Sequence, residues 1–337
     1  MTEEITVRER IEDLLPFMDP LISEWFNSKY SRMTEPQRRV IPLIHAGKNV
    51  LVSSPTGTGK TLTGFLAIIN ELFLRARNNK LIDEIVCVYI SPLKALANDI
   101  NKNLNSPLEE IYDIAKSKGL DIPKIRVGVR TGDTEQKDRQ KMLKKPPHIL
   151  IITPESLSLA LTAPKFREKF NSVKYVIIDE IHEISSSKRG TLLSLNVERL
   201  EEISHNFTRI GLSATQAPLP VIAAFLCGYN EGVQRPCEIV DVDIKRGLDL
   251  MTLTPVKDLS SAGFEVANER MYDILAKLVE EHKTTLIFTN TRSSTEHVAI
   301  RLKARGIESL EAHHSSLGKE TRINVEEKLI LDCIKSC

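Results

Sequence analysis

Asn49-Val50-Leu51-Val52-Ser53-Ser54-Pro55-Thr56-Gly57-Thr58-Gly59-Lys60-Thr61 reads as a buried strand delivering a glycine-rich loop to the start of a helix. Glycines let the backbone bend close around an anion, and Lys60 adds a mobile cation for the outer phosphates of a triphosphate. Leu62 to Arg77 carries apolar residues at helical spacing. The loop therefore ends at a helix N-terminus, whose free N–H groups and positive dipole end face the same anion. Thr61 places a hydroxyl where a magnesium ion bridging two phosphates would sit. Ser54 stands where the strict formula for such a loop has its first glycine, but Gly57, Gly59, Lys60 and Thr61 keep the mechanism. Ser54, Thr56, Gly57, Thr58, Gly59, Lys60 and Thr61 form the expected phosphate-binding set.

A chain of 337 residues suffices for two globular domains, at the usual ~100–200 residues each. With 41% hydrophobic and 27% charged residues and a formal charge of +1, no global field attracts a polyanion. Such a partner must be held by local patches and backbone groups. The five cysteines (Cys87, Cys227, Cys237, Cys333, Cys337) are scattered and contain no C-x-x-C pair, which fits a reducing compartment. Cys87 lies in an apolar run and reads as core. No apolar stretch approaches the roughly 20 residues needed to span a bilayer, and the acidic start Met1-Thr2-Glu3-Glu4 is no signal peptide. The expectation is a cytoplasmic protein with no membrane partner.

Short β-rich runs alternate with helical patterns, the arithmetic of a parallel sheet covered by helices. Expected strands are Asn49–Ser53, Glu84–Ile90, Ile125–Arg130, His148–Thr153, Tyr175–Asp179 and Arg209–Ser213. Several are apolar without alternation, as in strands buried on both faces. Pro218, Pro220, Gly228, Gly232 and Pro236 mark a domain boundary near residue 230. Beyond it, strands at Glu238–Val242, Leu248–Leu253, Thr284–Thr289 and Ser309–Ala312 and helices from about Ser294 to Arg305 and from about Lys319 repeat the theme.

Tyr175-Val176-Ile177-Ile178-Asp179-Glu180-Ile181-His182 is a buried-type strand ending in adjacent carboxylates. Ligands of open α/β sheets sit at the carboxyl ends of strands, so Asp179 and Glu180 can face the same crevice as the loop. Asp179 suits a hold on magnesium, and Glu180 can orient or deprotonate an attacking water. Ser91-Pro92-Leu93-Lys94 and Thr153-Pro154-Glu155-Ser156 share a second design: strand, hydroxyl residue, proline, helix. Ser91 and Thr153 read as N-caps, so each joint presents a helix N-terminus to phosphates without reading bases. Lys124, Arg126, Arg130, Lys137, Arg139, Lys141, Lys144 and Lys145 form a basic stretch that either tracks a strand or covers a solvated helix face.

Together these segments resemble the superfamily 2 helicases: Ser54–Thr61 as motif I, Asp179-Glu180-Ile181-His182 as a DEIH-type motif II and Ser213-Ala214-Thr215 as motif III. The resemblance implies ATP and Mg2+ as ligands and gives Lys60, Asp179 and Glu180 catalytic roles. Thr61 and Asp179 would hold the metal, Gln37 of Thr34-Glu35-Pro36-Gln37 would read adenine through its two-faced amide, and His182, Ser213 and Thr215 would couple nucleotide state to grip. Motifs Ia and Ib correspond to Pro92, Lys94, Thr153, Pro154 and Glu155, with Arg130-Thr131-Gly132 as a further strand-contacting loop. In the second half, Thr291 and Arg292 resemble motif IV, and His314 and Ser315 the next contacting segment. The wording is most similar to the large helicase-related (Lhr) branch.

The implied architecture is α/β, with two RecA-like P-loop NTPase domains and mostly parallel sheets: 1–230 the ATP-binding domain, 231–337 a partial second domain. Motifs V and VI, the latter carrying the arginines that reach the γ-phosphate, should follow Lys319, and no Gln-Arg-x-Gly-Arg-like segment occurs in the 337 residues. The expectation is a monomeric ATP-dependent helicase or translocase on DNA or RNA, truncated before those motifs. The alternative is a motor fragment that binds Mg-ATP and nucleic acid with little turnover. A transporter ATPase or GTPase loses, because its recognition sequences are absent.

Overall fold

All the apolar runs expected as strands in the first half are strands: β1 (Val50–Ser53), β2 (Cys87–Ile90), β3 (Val127–Arg130), β4 (Ile149–Ile152), β5 (Tyr175–Ile178) and β6 (Thr208–Ser213). The structure is a computed structural model that describes residues 11–55, 57–92, 94–214, 218–242, 249–258, 260–314 and 316–330. Two units divide the chain, Met1–Lys245 and Arg246–Cys337.

In the first unit a seven-stranded sheet runs in the order β3-β4-β2-β5-β6-β1-β9, and each pairing is parallel. Its last member, β9 (Glu238–Asp241), lies beyond the boundary expected near residue 230, yet it pairs with β1 in register Val50–Glu238. A two-stranded hairpin, β7 (Tyr229–Asn230) with β8 (Val233–Gln234), precedes it. Parallel order sends the carboxyl ends of β1 to β6 to one edge, which gathers the motifs that follow them.

The unbroken apolar runs resolve into two cores, because successive side chains of a strand point to opposite faces. Val50 and Val52 join one cluster with α1 (Ile11–Leu14), α2 (Pro20–Lys29), α3 (Glu35–His45), α4 (Lys60–Arg77) and α5 (Lys94–Ser117). Leu51, Ile152 and Ile178 join the other with α7 (Pro154–Thr162), α8 (Pro164–Arg167), α9 (Ile181–Ser185), α10 (Lys188–Ser204) and α11 (Leu219–Cys227). The remaining helix of this unit, α6 (Gln136–Lys144), buries none of its residues. Gly190 allows α10 to pass α9, since a Cβ there would lie 2.3 Å from the Ile184 carbonyl oxygen.

The second unit contains α12 (Phe264–Glu281), α13 (Arg292–Lys303) and α14 (Lys319–Ile330) around Val279, Ala299, Leu302, Ile307 and Leu310. The strands expected at Leu248–Leu253, Thr284–Thr289 and Ser309–Ala312 are not strands among the described residues. Only single-residue bridges occur, at Thr285 and Leu310. A strand is made by its ladder partner, and here Leu250, Leu286 and Phe288 are exposed, Phe288 to 89%. Apolar composition alone does not supply that partner. Cys333 and Cys337 lie outside the described residues. No described helix is long and apolar enough to cross a membrane.

His148, leading into β4, is 1% exposed and accepts the Arg126 N–H at Nδ1, 2.9 Å away. Burial, aided by Arg126, draws its imidazole down to about 4. The unfolded chain thus binds the proton more readily, and stability falls as pH drops from about 6.5 toward 4, by up to about 3 kcal/mol. Urea titrations across that window should show this slope. His148→Asn, which keeps an acceptor for Arg126, should flatten it.

Candidate functional site

The loop after β1 is tied down by its own side chains. Ser54 N–H donates to the Ser213 carbonyl at 3.2 Å, Ser54 Oγ lies 2.9 Å from Thr58 Oγ1, and Thr58 Oγ1 donates to the Pro55 carbonyl. Gly57 and Gly59 hold φ of 78° and 81°, the left-handed region where glycine costs least. Gly59 caps α4 without a side-chain hydrogen bond, which leaves the helix N-terminus facing outward. Lys60 Nζ donates to the carbonyls of Ser54 at 2.6 Å and Ser213 at 2.9 Å. Burial lowers its pKa, opposed by Glu180 and Asp179.

Both carboxylates follow β5. Asp179 is 5% exposed; its Oδ1 accepts the Glu180 N–H at 2.9 Å and its Oδ2 accepts the Tyr89 hydroxyl. Burial raises the Asp179 carboxyl, while the Tyr89 hydrogen bond works the other way. Glu180 occupies the left-handed region at φ 45°, ψ 43°, a conformation that costs a non-glycine residue about 1–3 kcal/mol. The strain turns the chain sharply into α9. His182 Nδ1 accepts the Ala214 N–H at 3.3 Å and lies 3.4 Å from Ser213 Oγ, while Nε2 is 3.4 Å from Glu180 Oε2. An accepting Nδ1 places the ring proton on Nε2. His182 thus bridges the segments after β5 and β6.

Lys60, Thr61, Gly57, Gly59 and Glu180 line one cavity of about 630 Å³, walled further by Trp25, Phe65 and Leu104. The donor set fits magnesium and a polyphosphate: a hydroxyl at Thr61, a nearly buried carboxyl raised by desolvation, an ammonium and an outward-facing helix N-terminus. Cationic charge beside Asp179 offsets the very desolvation that raises it.

Gln37 also has a partner within the fold. Its Oε1 accepts the Thr34 N–H at 2.9 Å, so half of the amide closes the start of α3. The other half faces the loop, since a Cβ at Gly59 would sit 3.2 Å from Gln37 Nε2. Thr56, Thr215 and Ser315 lie outside the described residues, as does the side chain of Lys94.

Of the two strand-end helices, α7 follows the capped design: Thr153 Oγ1 accepts the Ser156 N–H with Pro154 in the first turn. α5 opens only at Lys94, so Pro92 precedes the helix and Ser91 does not stand at its N-cap as expected. Arg189 joins the two joints, donating to the Pro92 carbonyl at 2.8 Å and to Glu155 Oε1 at 2.6 Å. Burial would raise the Glu155 carboxyl, but the Arg189 hydrogen bond helps hold it below its ordinary value.

In the basic stretch, Arg130 stacks 4.0 Å over the Phe166 ring, Arg126 pairs with Asp83, and Arg139 donates to the carbonyls of Thr131, Gly132 and Thr134. These arginines hold the loop rather than present a free patch. Lys137, Lys141, Lys144 and Lys145 are exposed on and beside α6. In the second unit Thr291 caps α13, Arg292 donates to Ser316 Oγ at 2.6 Å, and His314 Nε2 lies 2.6 Å from Glu296 Oε1.

Sequence reading missed Tyr89 and Arg189. Tyr89 sits in an apolar run and reads as core; only the β2–β5 register, Tyr89 opposite Ile177, brings its hydroxyl to Asp179. Arg189 lies in a charged helix start that gives no hint of its partners.

A parallel sheet with this loop after β1 and a carboxylate pair after β5, with β6 between the two strands, defines the RecA-like class of P-loop nucleoside triphosphatases. The sequence profile of the DEAD/DEAH box helicases matches residues 34–221, and the chain belongs to that family. It is 53% identical over 326 residues to the ATP-dependent helicase Lhr-Core of Methanocaldococcus jannaschii, covering 97% of this chain and 38% of the relative. It is 55% identical over 317 residues to the Lhr-Core helicase of Methanothermobacter thermautotrophicus, covering 93% and 37%. The structure of the Mycobacterium smegmatis helicase Lhr bound to ssDNA and AMP-PNP superposes with TM-score 0.81 at 37% identity, covering 96% of this chain and 41% of that one. The chain thus spans less than two-fifths of the length of these two curated relatives.

Tyr89 stacks on Phe65 at 4.8 Å, so Tyr89→Phe keeps the ring contact and removes only the donor to Asp179. Urea unfolding should show a loss of about 1.5–3 kcal/mol, the range for hydrogen bonds to charged groups, with an unchanged denaturant slope.

Proposed function

We propose that this chain is the nucleotide-binding core of an ATP-dependent helicase or translocase acting on a DNA or RNA strand. Met1–Lys245 serves as the ATP-binding RecA-like domain and Arg246–Cys337 as part of the second. The observation that carries the reading is the Lys60 ammonium, fixed between the carbonyls of Ser54 and Ser213 beside Asp179 and Glu180. In this reading Thr61 and Asp179 hold magnesium, Lys60 and the N-terminus of α4 hold the outer phosphates, and the Gln37 Nε2 amide donates to adenine. The chemistry supplied by that ligand is one phosphoanhydride bond. Glu180 orients the attacking water and accepts its proton. His182 carries the state of Glu180 to Ala214 through its two ring nitrogens, which links the carboxylates to the segment after β6.

The strand is gripped through phosphates by the N-termini of α5 and α7, with Pro92, Thr153, Pro154 and Glu155 at the contact and Arg130, Thr131 and Gly132 beside it. Arg189 keeps the two helix starts in register. Thr291, Arg292, His314 and Ser315 supply the second unit's part of the grip. Support for a nucleic-acid strand comes from the ssDNA in the related Mycobacterium smegmatis structure. A cytoplasmic location accords with the unpaired thiols Cys87, Cys227 and Cys237.

Steady-state ATP hydrolysis, measured alone and with single-stranded DNA or RNA, tests the reading. Stimulation by a polymer is expected, and Lys60→Ala should lower the rate by about 10²-fold or more. Activity that survives this substitution would sink the proposal, and ATP binding without turnover would favour a binding module. Arg189→Ala should weaken single-strand binding several-fold in an anisotropy titration while leaving ATP affinity unchanged.

A further inference from the structure

β2 lies beside β5 in the sheet and holds the residue that follows β5 in two ways. Through the backbone, Asp179 N–H donates to the Ile90 carbonyl at 3.0 Å, one step beyond the last β2–β5 pair, Ile90 opposite Ile178. Through a side chain, the Tyr89 hydroxyl donates to Asp179 Oδ2. Alternation along the chain puts Asp179 on the face of Ile177. The ring that lies opposite Ile177 therefore reaches the carboxylate.

The tyrosine is itself held in place. It is 0% exposed, and its ring stacks on Phe65 with centroids 4.8 Å apart and planes 15° from parallel. Phe65 sits on α4 about one turn beyond Thr61 and lines the same cavity. A carboxylate accepts at about four lone-pair positions, shared between its two oxygens. At Asp179 the Glu180 N–H takes one on Oδ1, 2.9 Å away, and the Tyr89 hydroxyl takes one on Oδ2. A single anchor would leave the group able to turn about its Cβ–Cγ bond. Anchors on both oxygens fix its plane, and a second acceptor position on each oxygen remains for a cation.

We propose that Tyr89 is a positioning residue for the divalent cation: by holding Asp179 Oδ2, it sets the plane of the carboxylate that receives magnesium. This rests on the reading in which Thr61 and Asp179 hold that ion. Tyr89 is fully buried and lines no part of the cavity, so it acts through Asp179. One ring touches both sides of the site, α4 through Phe65 and the segment after β5 through Asp179. The carboxylate is thus ordered by the fold, and the cation does not have to order it. Groups that hydrogen-bond a metal ligand in this way contribute ~10–100-fold to metal affinity.

Binding of Mn2+ to the ADP-saturated protein, followed by electron paramagnetic resonance, tests this, with ADP affinity in EDTA measured beside it. Tyr89→Phe, which keeps the ring and its stack, should bind Mn2+ roughly 10–100-fold more weakly while its metal-free ADP affinity stays that of the wild type. Ile149→Val trims the same core without touching the cavity lining, so it reports what lost stability alone does. With both variants folded by circular dichroism, it should bind Mn2+ like the wild type. Equal Mn2+ affinity in Tyr89→Phe and the wild type, or an equal loss in Ile149→Val, overturns the assignment of Tyr89. A wild type that takes up no Mn2+ with ADP overturns the magnesium reading itself, a different failure.

Discussion

One ammonium group organises the first unit. Lys60 Nζ lies between the carbonyls of Ser54 and Ser213, and those residues follow or end β1 and β6, neighbours in the sheet. Taking that charge out of water is unfavourable, and the two carbonyls and the field of Asp179 and Glu180 offset the loss. The geometry needs the β1–β6 register, Ser53 opposite Ser213. A slip by one residue would turn each strand's side chains to the wrong core and move the carbonyls away from the ammonium. Loop, register and cores are therefore one constraint.

The carboxylate side is built on the same logic with opposite sign. Asp179 is desolvated and held by Tyr89 and the Glu180 N–H, and Glu180 is held in a strained left-handed turn. Strain and desolvation of this kind persist only where surrounding structure over-determines them. Here β2 supplies the tyrosine, β6 leads to the histidine's partner, and Gly190 lets α10 lie against α9. The second unit is organised differently, by helices around a small apolar cluster, with Phe288 left open.

Much of this was legible because the signals are local. The loop at Ser54–Thr61 announces itself by glycine spacing, and Thr153-Pro154 by the chemistry of helix starts. The first-half strands announce themselves by unbroken apolar runs. What failed to read were features whose cause lies across the fold. Glu238–Asp241 joined the first sheet because β1 had an unpaired edge, a fact absent from its own composition. Thr284–Thr289 looked like a strand but lacked a ladder. The arginines at 126, 130 and 139 looked like a free patch until Asp83, Phe166 and three carbonyls were seen to hold them.

The amino-acid sequence by itself determined the α/β class, the six strands of the first half and the identity of the phosphate loop and carboxylate pair, because periodicity, capping and glycine placement act over a few residues. Tertiary structure alone decided that Tyr89 serves Asp179 and that Arg189 joins Pro92 to Glu155. Both contacts are set by the order and register of the strands that bring these segments together. Such contacts depend on where the backbone goes, and no local pattern of side chains encodes them.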